Sequence, residues 1–186
     1  KFLQAGLGFG GSCFQKDLLN LVYLCESNGL PEVAHYWRQV VQMNDYQRHR
    51  FVRGMLTHMF NTVVDKRIAV FGFAFKADTG DTRESPAIHV CRQLVEERAR
   101  VVVHDPKALD NAREDLADLG PAVAFEEDPY RAAQGAHAIA VLTGWDLYRG
   151  LDYRRIYADM VQPACIFDGR NILDHDALFR IGFNVY

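Results

Sequence analysis

Arg67-Ile68-Ala69-Val70-Phe71-Gly72 decides the fold, because an apolar run without polar alternation ends directly on a glycine. A strand that reads apolar on both faces belongs inside a sheet covered on both sides. Similar runs follow as Arg100-Val101-Val102-Val103-His104, Ala122-Val123-Ala124-Phe125, Ala138-Ile139-Ala140-Val141-Leu142 and Ala164-Cys165-Ile166-Phe167. Helical patterns over residues 86–97, 109–119, 128–134 and 152–160 lie between most of them. This alternation predicts an α/β fold, with a doubly wound, Rossmann-like parallel sheet over residues 66–186. Ligands gather beyond the carboxyl ends of the strands in such sheets. The candidate site therefore comprises residues 72–83, Asp105-Pro106, Thr143-Gly144-Trp145 and Asp168-Gly169-Arg170.

Upstream of the sheet the period changes. Residues 14–27 place Leu18, Leu21, Val22, Tyr23 and Cys25 on one broad helical face, and Asn28-Gly29 supplies a stop. Pro31 suits a first helical turn, and Val33, Trp37, Val40, Met43, Phe51, Met55 and Phe60 then recur near helical spacing with no internal proline. The spacing predicts one helix to about residue 61, roughly 45 Å long at ~1.5 Å per residue. Residues 1–62 thus read as a loop and helical region, and 66–186 as the sheet domain.

The loop is Gly8-Phe9-Gly10-Gly11-Ser12-Cys13-Phe14-Gln15-Lys16-Asp17, which delivers one cysteine to a helix N-terminus. Glycines let the main chain approach a ligand closely. Unpaired N–H groups and the helix dipole favour anionic sulfur at a first turn, which makes Cys13 a candidate nucleophile. A cysteine packed as a small hydrophobe is the alternative. Asp17 follows by one turn and can point into the same space.

Gly6-Leu7-Gly8-Phe9-Gly10-Gly11 matches GxGxxG in form, but no predicted strand precedes it, and as a dinucleotide fingerprint it fails. In the sheet domain, Gly72-Phe73-Ala74-Phe75-Lys76-Ala77-Asp78 replaces the glycine-rich phosphate turn and adds a cation. That substitution suits a nucleotide other than NAD. Lys76 offers a point charge to a diphosphate and Phe75 an apolar surface, unless Lys76 is simply an exposed lysine. In Thr82-Arg83-Glu84-Ser85-Pro86, Asp81 or Thr82 is the expected helix cap, with Glu84 in the first turn. Arg170 stands open between ligand contact and a surface ion pair.

The 186 residues are 49% hydrophobic, enough for a sizeable core, and the net charge of −3 with dispersed basic residues argues against a nucleic-acid partner. Cys13, Cys25, Cys91 and Cys165 show no CxxC spacing, as expected of free thiols in a reducing, cytoplasmic compartment. No apolar run spans a bilayer, so no membrane partner is expected. His35, His49 and His58 fall on or near the long helix without the zinc-binding i, i+4 pattern, and no metal site is expected.

Several blocks together resemble the UDP-glucose/GDP-mannose dehydrogenase family. They are the cysteine cassette with Leu18-Leu19-Asn20-Leu21, Leu30-Pro31-Glu32-Val33-Ala34 through Met43-Asn44-Asp45-Tyr46-Gln47, Phe71-Gly72-Phe73-Ala74-Phe75-Lys76, Thr79-Gly80-Asp81-Thr82-Arg83-Glu84-Ser85-Pro86, and Phe167-Asp168-Gly169-Arg170. They occur in the family's order over nearly the whole chain. Gln15 and Thr79-Gly80-Asp81-Thr82 look more like the animal-type UDP-glucose branch than the GDP-mannose one.

The resemblance implies an NAD-dependent oxidation of UDP-glucose to UDP-glucuronate in two hydride transfers. Cys13 would be catalytic through a thiohemiacetal and a thioester, and Asp17 would position the water. The implied substrate residues are Gln4, Ala5, Gly6, Leu7, Gly8, Phe9, Gly10, Phe75, Lys76 and Arg170, and the implied NAD contacts are Cys13, Phe14, Gln15, Lys16 and Arg83. It also implies that the long helix joins two Rossmann-like domains and forms a homodimer or higher homo-oligomer. The opening at Lys1, directly before the loop, implies a fragment whose N-terminal NAD-binding domain is absent. Such a fragment is expected to bind UDP-sugar and dimerise without turnover. GDP-mannose or a UDP-N-acetyl-hexosamine as substrate, and a non-catalytic nucleotide-sugar-binding module, are the alternatives.

Overall fold

The computed structural model describes residues 6–186; Gln4 and Ala5 lie outside the described residues. Two helices come first. Helix α1, Phe14–Ser27, buries Leu18, Val22 and Cys25, spaced one turn apart. Val22 and Cys25 pack with Ala34 and Trp37 of helix α2, Pro31–His58. Proline at its first position costs no hydrogen bond, since that N–H has no helical acceptor. At ~1.5 Å per residue α2 is roughly 42 Å long. It stops three residues short of the expected end because Phe60 and Asn61 adopt φ of 63° and 57°, which turns the chain out of the helix. Phe60 consequently stands 78% exposed instead of extending the apolar face.

Six strands then form one parallel sheet in the order β3-β2-β1-β4-β5-β6. They are β1 Arg67–Phe71, β2 Arg100–His104, β3 Val123–Phe125, β4 Ala138–Val141, β5 Cys165–Asp168 and β6 Asn184–Val185. The crossovers carry α3 Pro86–Glu96, α4 Leu109–Asp115, α5 Pro129–Ala133, α6 Tyr153–Asp159 and α7 His175–Ile181. The pattern expected over residues 109–119 is a shorter α4 followed by a 3-10 turn over Ala117–Ala122, where Gly120 at φ 56° and Pro121 prevent continuation. No helix is expected from the sequence at α7, which buries only Leu178.

Strand alternation sorts the core into two layers. Ile68, Val70, Val101, Val103, Ala138, Ala140 and Phe167 face one way, and pack with Val90, Cys91 and Leu94 of α3. Ala69, Phe71, Val102, Ile139, Val141 and Ile166 face the other, against Ala132, Ile156 and Phe183. Burial on both faces is the physical reason that these strands carry no polar alternation.

Helix α2 divides along its length. Val52 and Met55 join the first sheet layer, whereas Tyr36, Met43 and Tyr46 remain 63%, 57% and 49% exposed. Met55→Ala should therefore lower unfolding stability by about 2–5 kcal/mol, and Thr57→Ala, at an exposed position of the same helix, by less than about 0.5 kcal/mol. Urea unfolding of the two variants checks this difference.

Candidate active site

Two buried carboxylates organise the carboxyl edge of the sheet. Asp105 follows β2, and its Oδ2 accepts from Phe73 N at 2.7 Å, Ala74 N at 3.0 Å and Trp145 Nε1 at 3.1 Å. Its Oδ1 accepts from Lys107 N at 2.8 Å and Ala108 N at 2.9 Å. An acidic residue here in a dinucleotide-binding sheet would hold a ribose, but these donors leave no carboxylate oxygen for one. Thr143 closes the adjoining crevice between β1 and β4. Its Oγ1 donates to Ala74 O at 2.6 Å, and Gly72, at φ 96°, lies so close that a Cβ would meet this oxygen at 2.6 Å.

Asp168 ends β5. It accepts from Arg170 N at 3.1 Å, from Ile172 N and Leu173 N at 2.8 Å each, and is 3.2 Å from His175 Nε2. These bonds turn the loop so that half-buried Arg170 meets the backbone of Gly6. Burial draws the Arg170 guanidinium below the usual arginine range while Asp168 opposes this, and it remains a cation. Leu7 packs over Gly169 in the same loop.

The glycine loop is clamped from α2. Phe9 N donates to Asn44 Oδ1 at 2.7 Å, Asn44 Nδ2 donates to Phe9 O at 3.1 Å, and Arg48 Nη2 donates to Phe9 O at 3.1 Å. Further along, Gly11 N donates to Arg83 O at 2.8 Å. At φ 85° Gly11 lies flat on the Phe75 ring, where an added Cβ would come within 3.0 Å of Cε2. The loop leads into α1, which packs on α2, so its GxGxxG spacing is not a strand-to-helix turn of the sheet.

The structure thus brings Gly6, Leu7, Gly8, Phe9, Gly10, Phe75 and Arg170 to one edge. Lys76 is exposed beside them, with Nζ 5.3 Å from the Phe75 ring centroid. Cys13 is the exposed N-cap of α1, its Sγ 3.8 Å from Ser12 Oγ. Phe14 sets its ring edge-on to Phe9 at 4.6 Å, Gln15 is half-buried, and Lys16 and Asp17 are exposed. Arg83 is exposed and pairs with Asp81 at 2.6 Å. Hydrogen bonding between them, more than the Coulomb attraction, holds the Asp81 carboxyl low and the Arg83 guanidinium high.

The expected cap of α3 moves. Ser85, rather than Asp81 or Thr82, caps it, with Oγ accepting from Ala87 N at 3.3 Å and donating to Phe73 O at 2.6 Å. Asp81 is engaged by Arg83, and Thr82 O instead accepts from Ser85 N at 2.9 Å. Glu84 precedes the cap at φ 53° and is outside the first turn.

Asn44 and Arg48 receive no role from the sequence, and Asp105 and Asp168, which fall in the expected strand-end loops, anchor those loops instead of meeting a ligand. A signal existed for the first two: they lie one turn apart on α2, on the stripe that buries Ala34, Val52 and Met55. A buried polar pair at i, i+4 must have partners. Asp168 binds the N–H groups of its own following turn, whereas Asp105 adds to its local donors three from turns 31 to 40 residues away, which its place in the chain does not announce.

Among the four free cysteines, only Cys13 is exposed. Burial pushes the Cys91 thiol up to about 12 and raises that of Cys165. Iodoacetamide near neutral pH should consequently alkylate Cys13 first, since thiolate and access control the rate. Peptide mapping reads this out, and earlier labelling of Cys25, Cys91 or Cys165 would contradict it.

Residues 69–175 match the UDP binding domain of the UDP-glucose/GDP-mannose dehydrogenase family, and residues 1–46 match its central domain. UDP-glucose 6-dehydrogenase of Caenorhabditis elegans is 56% identical over all of this chain, which covers 40% of that protein. UDP-glucose 6-dehydrogenase 1 of Oryza sativa subsp. japonica is 53% identical, again over the whole chain and 42% of the relative. A UDP-glucose dehydrogenase structure from the hyperthermophilic archaeon Pyrobaculum islandicum superposes with a TM-score of 0.77 at 35% identity, covering 97% of this chain and 38% of that one. The chain therefore spans about two fifths of the length of these relatives.

Proposed function

This chain belongs to the UDP-glucose/GDP-mannose dehydrogenase family, and from that premise we propose that it is the nucleophile-bearing and UDP-sugar-binding portion of an NAD-dependent UDP-glucose 6-dehydrogenase. The observation that carries this reading is the convergence of the Cys13 loop with Phe75 and Arg170 at one edge of the sheet. Lys76 and Arg170 supply cations for a diphosphate, and the main chain of residues 6–10 forms a wall for the sugar.

Arg83, exposed and aimed away from the core, fits an anionic group contributed from outside this sheet and would contact the NAD diphosphate with Phe14, Gln15 and Lys16. Bound NAD would supply the hydride acceptor, two equivalents for each sugar oxidised. The sugar alcohol loses a hydride and a proton to become an aldehyde. Cys13 thiolate then adds to the aldehyde carbon, forming a C–S bond and an oxyanion that N–H groups at the start of α1 can stabilise. Loss of a second hydride from that carbon leaves a thioester. Water, positioned by Asp17, attacks the thioester carbon, and the C–S bond breaks to release the carboxylate and return the thiolate. In the full-length protein, Cys13→Ser should lower UDP-glucuronate formation by at least roughly a hundredfold. Undiminished acid formation would refute the assignment.

On its own the chain is a nucleotide-sugar-binding module without turnover. Calorimetry of the chain with UDP should give binding that weakens roughly tenfold or more in Lys76→Ala and in Arg170→Ala, each of which removes a charged contact. The exposed apolar side chains Leu19, Tyr23 and Leu24 of α1, with Tyr36, Met43 and Tyr46 of α2, form the surface through which we expect two copies to associate. Sedimentation should find a dimer, and Tyr23→Glu with Tyr36→Glu should convert it to monomer. The four free thiols favour a cytosolic location.

A further inference from the structure

Arg48 is an unusual residue to find inside α2. Its side chain is 3% exposed, and its guanidinium meets three separate segments. Nη2 donates to Phe9 O at 3.1 Å and to Glu84 O at 3.3 Å, while Nη1 lies 2.9 Å from His89 Nε2 and 3.4 Å from Asp45 Oδ1. Phe9 belongs to the loop that carries Cys13, Glu84 adjoins Arg83, and His89 sits on α3. The two loops also touch directly through Gly11 N and Arg83 O, at 2.8 Å.

Burying a cation is unfavourable unless its donors are satisfied. Ordinary helix packing at this position would be served by an aliphatic side chain, as it is at Val52 one turn later. What an arginine adds is a planar fork whose donors point in fixed, divergent directions. One of its nitrogens spans the carbonyls of the two loops, so their separation is set by the reach of a single rigid group. Glu84 is held at φ 53°, an uncommon conformation for a residue other than glycine, where its carbonyl can meet Arg48.

We propose that Arg48 is a positioning residue that sets the distance between the Cys13 loop and the Arg83 loop, and so aligns the nucleophile with the cofactor side of the reaction. This role rests on reading Cys13 as the nucleophile and Arg83 as the NAD contact. His89 orients the guanidinium as an acceptor on Nε2, which requires its neutral form. Asn44 holds the same Phe9 peptide from α2 but does not reach Glu84, so it fixes one loop without coupling the two.

Two measurements test the proposal. In this chain, amide hydrogen exchange at Gly11 reads the bond between the loops directly. Arg48→Met should accelerate Gly11 exchange at least tenfold, with Val70 and Ile139 amides in the sheet unchanged. Arg48→Lys keeps a buried cation but ends about one bond short of the Nη2 position and has no second nitrogen for His89, so it should accelerate Gly11 exchange as well; it also serves if Arg48→Met fails to fold. In the full-length protein, both variants should lower kcat at least tenfold while KM for the nucleotide sugar changes by a smaller factor, because Asn44 still holds the Phe9 peptide and Lys76 and Arg170 are untouched. A purely structural role would instead leave kcat intact in folded protein. Unchanged Gly11 exchange overturns the coupling. Faster exchange with unchanged kcat overturns the positioning role, provided that Cys13→Ser abolishes acid formation. If Cys13→Ser leaves acid formation intact, the reading of the nucleophile fails and takes this alignment with it, whatever Gly11 shows.

Discussion

The buried Asp105 carboxylate is the constraint on which the site depends. A parallel sheet covered on both faces leaves its carboxyl edge as the place where main-chain polarity emerges. The turn after β1 must bring Phe73 and Ala74 down across that edge, and their N–H groups would be buried without partners. Asp105 accepts from both, at 2.7 and 3.0 Å, and reaches Trp145 beyond β4 with the same oxygen. Hydrogen bonds from several N–H groups stabilise a carboxylate that burial alone would disfavour. With that turn anchored, Phe75 stands where Gly11 can pack on its ring, and Ser85 can cap α3 while donating to Phe73 O. Asp168 does equivalent work after β5, where four donors fix the loop that carries Arg170.

The same arrangement explains why a sheet with dinucleotide strand order differs from a dinucleotide site. The position that would accept a ribose is saturated by protein donors, and Thr143 fills the crevice at the topological switch between β1 and β4. Free cations instead gather at the rim, as Lys76 beside Phe75 and Arg170 beside Gly6. Fold order alone therefore says little about the ligand, and the side chains at the strand ends decide it.

Helix α2 works as a strut with two different faces along its length. Toward its C-terminus it covers the sheet through Val52 and Met55. Toward its middle, Asn44 and Arg48 hold the glycine loop by its Phe9 peptide. A single rigid element thus references the loop that bears Cys13 to the sheet that bears Arg170, across a gap that no local turn spans. Rigid support of this kind matters for covalent chemistry, because an error of about 1 Å in a reacting group can cost roughly a hundredfold in rate.

Periodicity in the chain was enough for the parallel-sheet architecture and most of its elements, though not for α7, which buries a single apolar residue. Residues 14–27 read as a helix and form one, and the apolar runs from Arg67 onward become the strands of a parallel sheet, because burial on both faces leaves a pattern that no surface strand would have. The glycine-flanked cysteine, Phe75, Lys76 and Arg170 were legible as candidates because they follow a glycine-rich loop or the carboxyl end of an apolar run, where ligands gather in such sheets. Boundaries were less legible where single residues turn the chain, as at Phe60, Asn61 and Gly120, since a left-handed φ for a non-glycine residue is imposed by surrounding packing. Which groups the site holds together was decided only in three dimensions. Asp105 finds its partners 31, 32 and 40 residues away, and Arg48 reaches Phe9 and His89 across separations of 39 and 41. A sequence pattern reports the environment of a side chain along its own helix or strand; the hydrogen bonds that align this edge join elements whose proximity exists only once the sheet has closed its two layers.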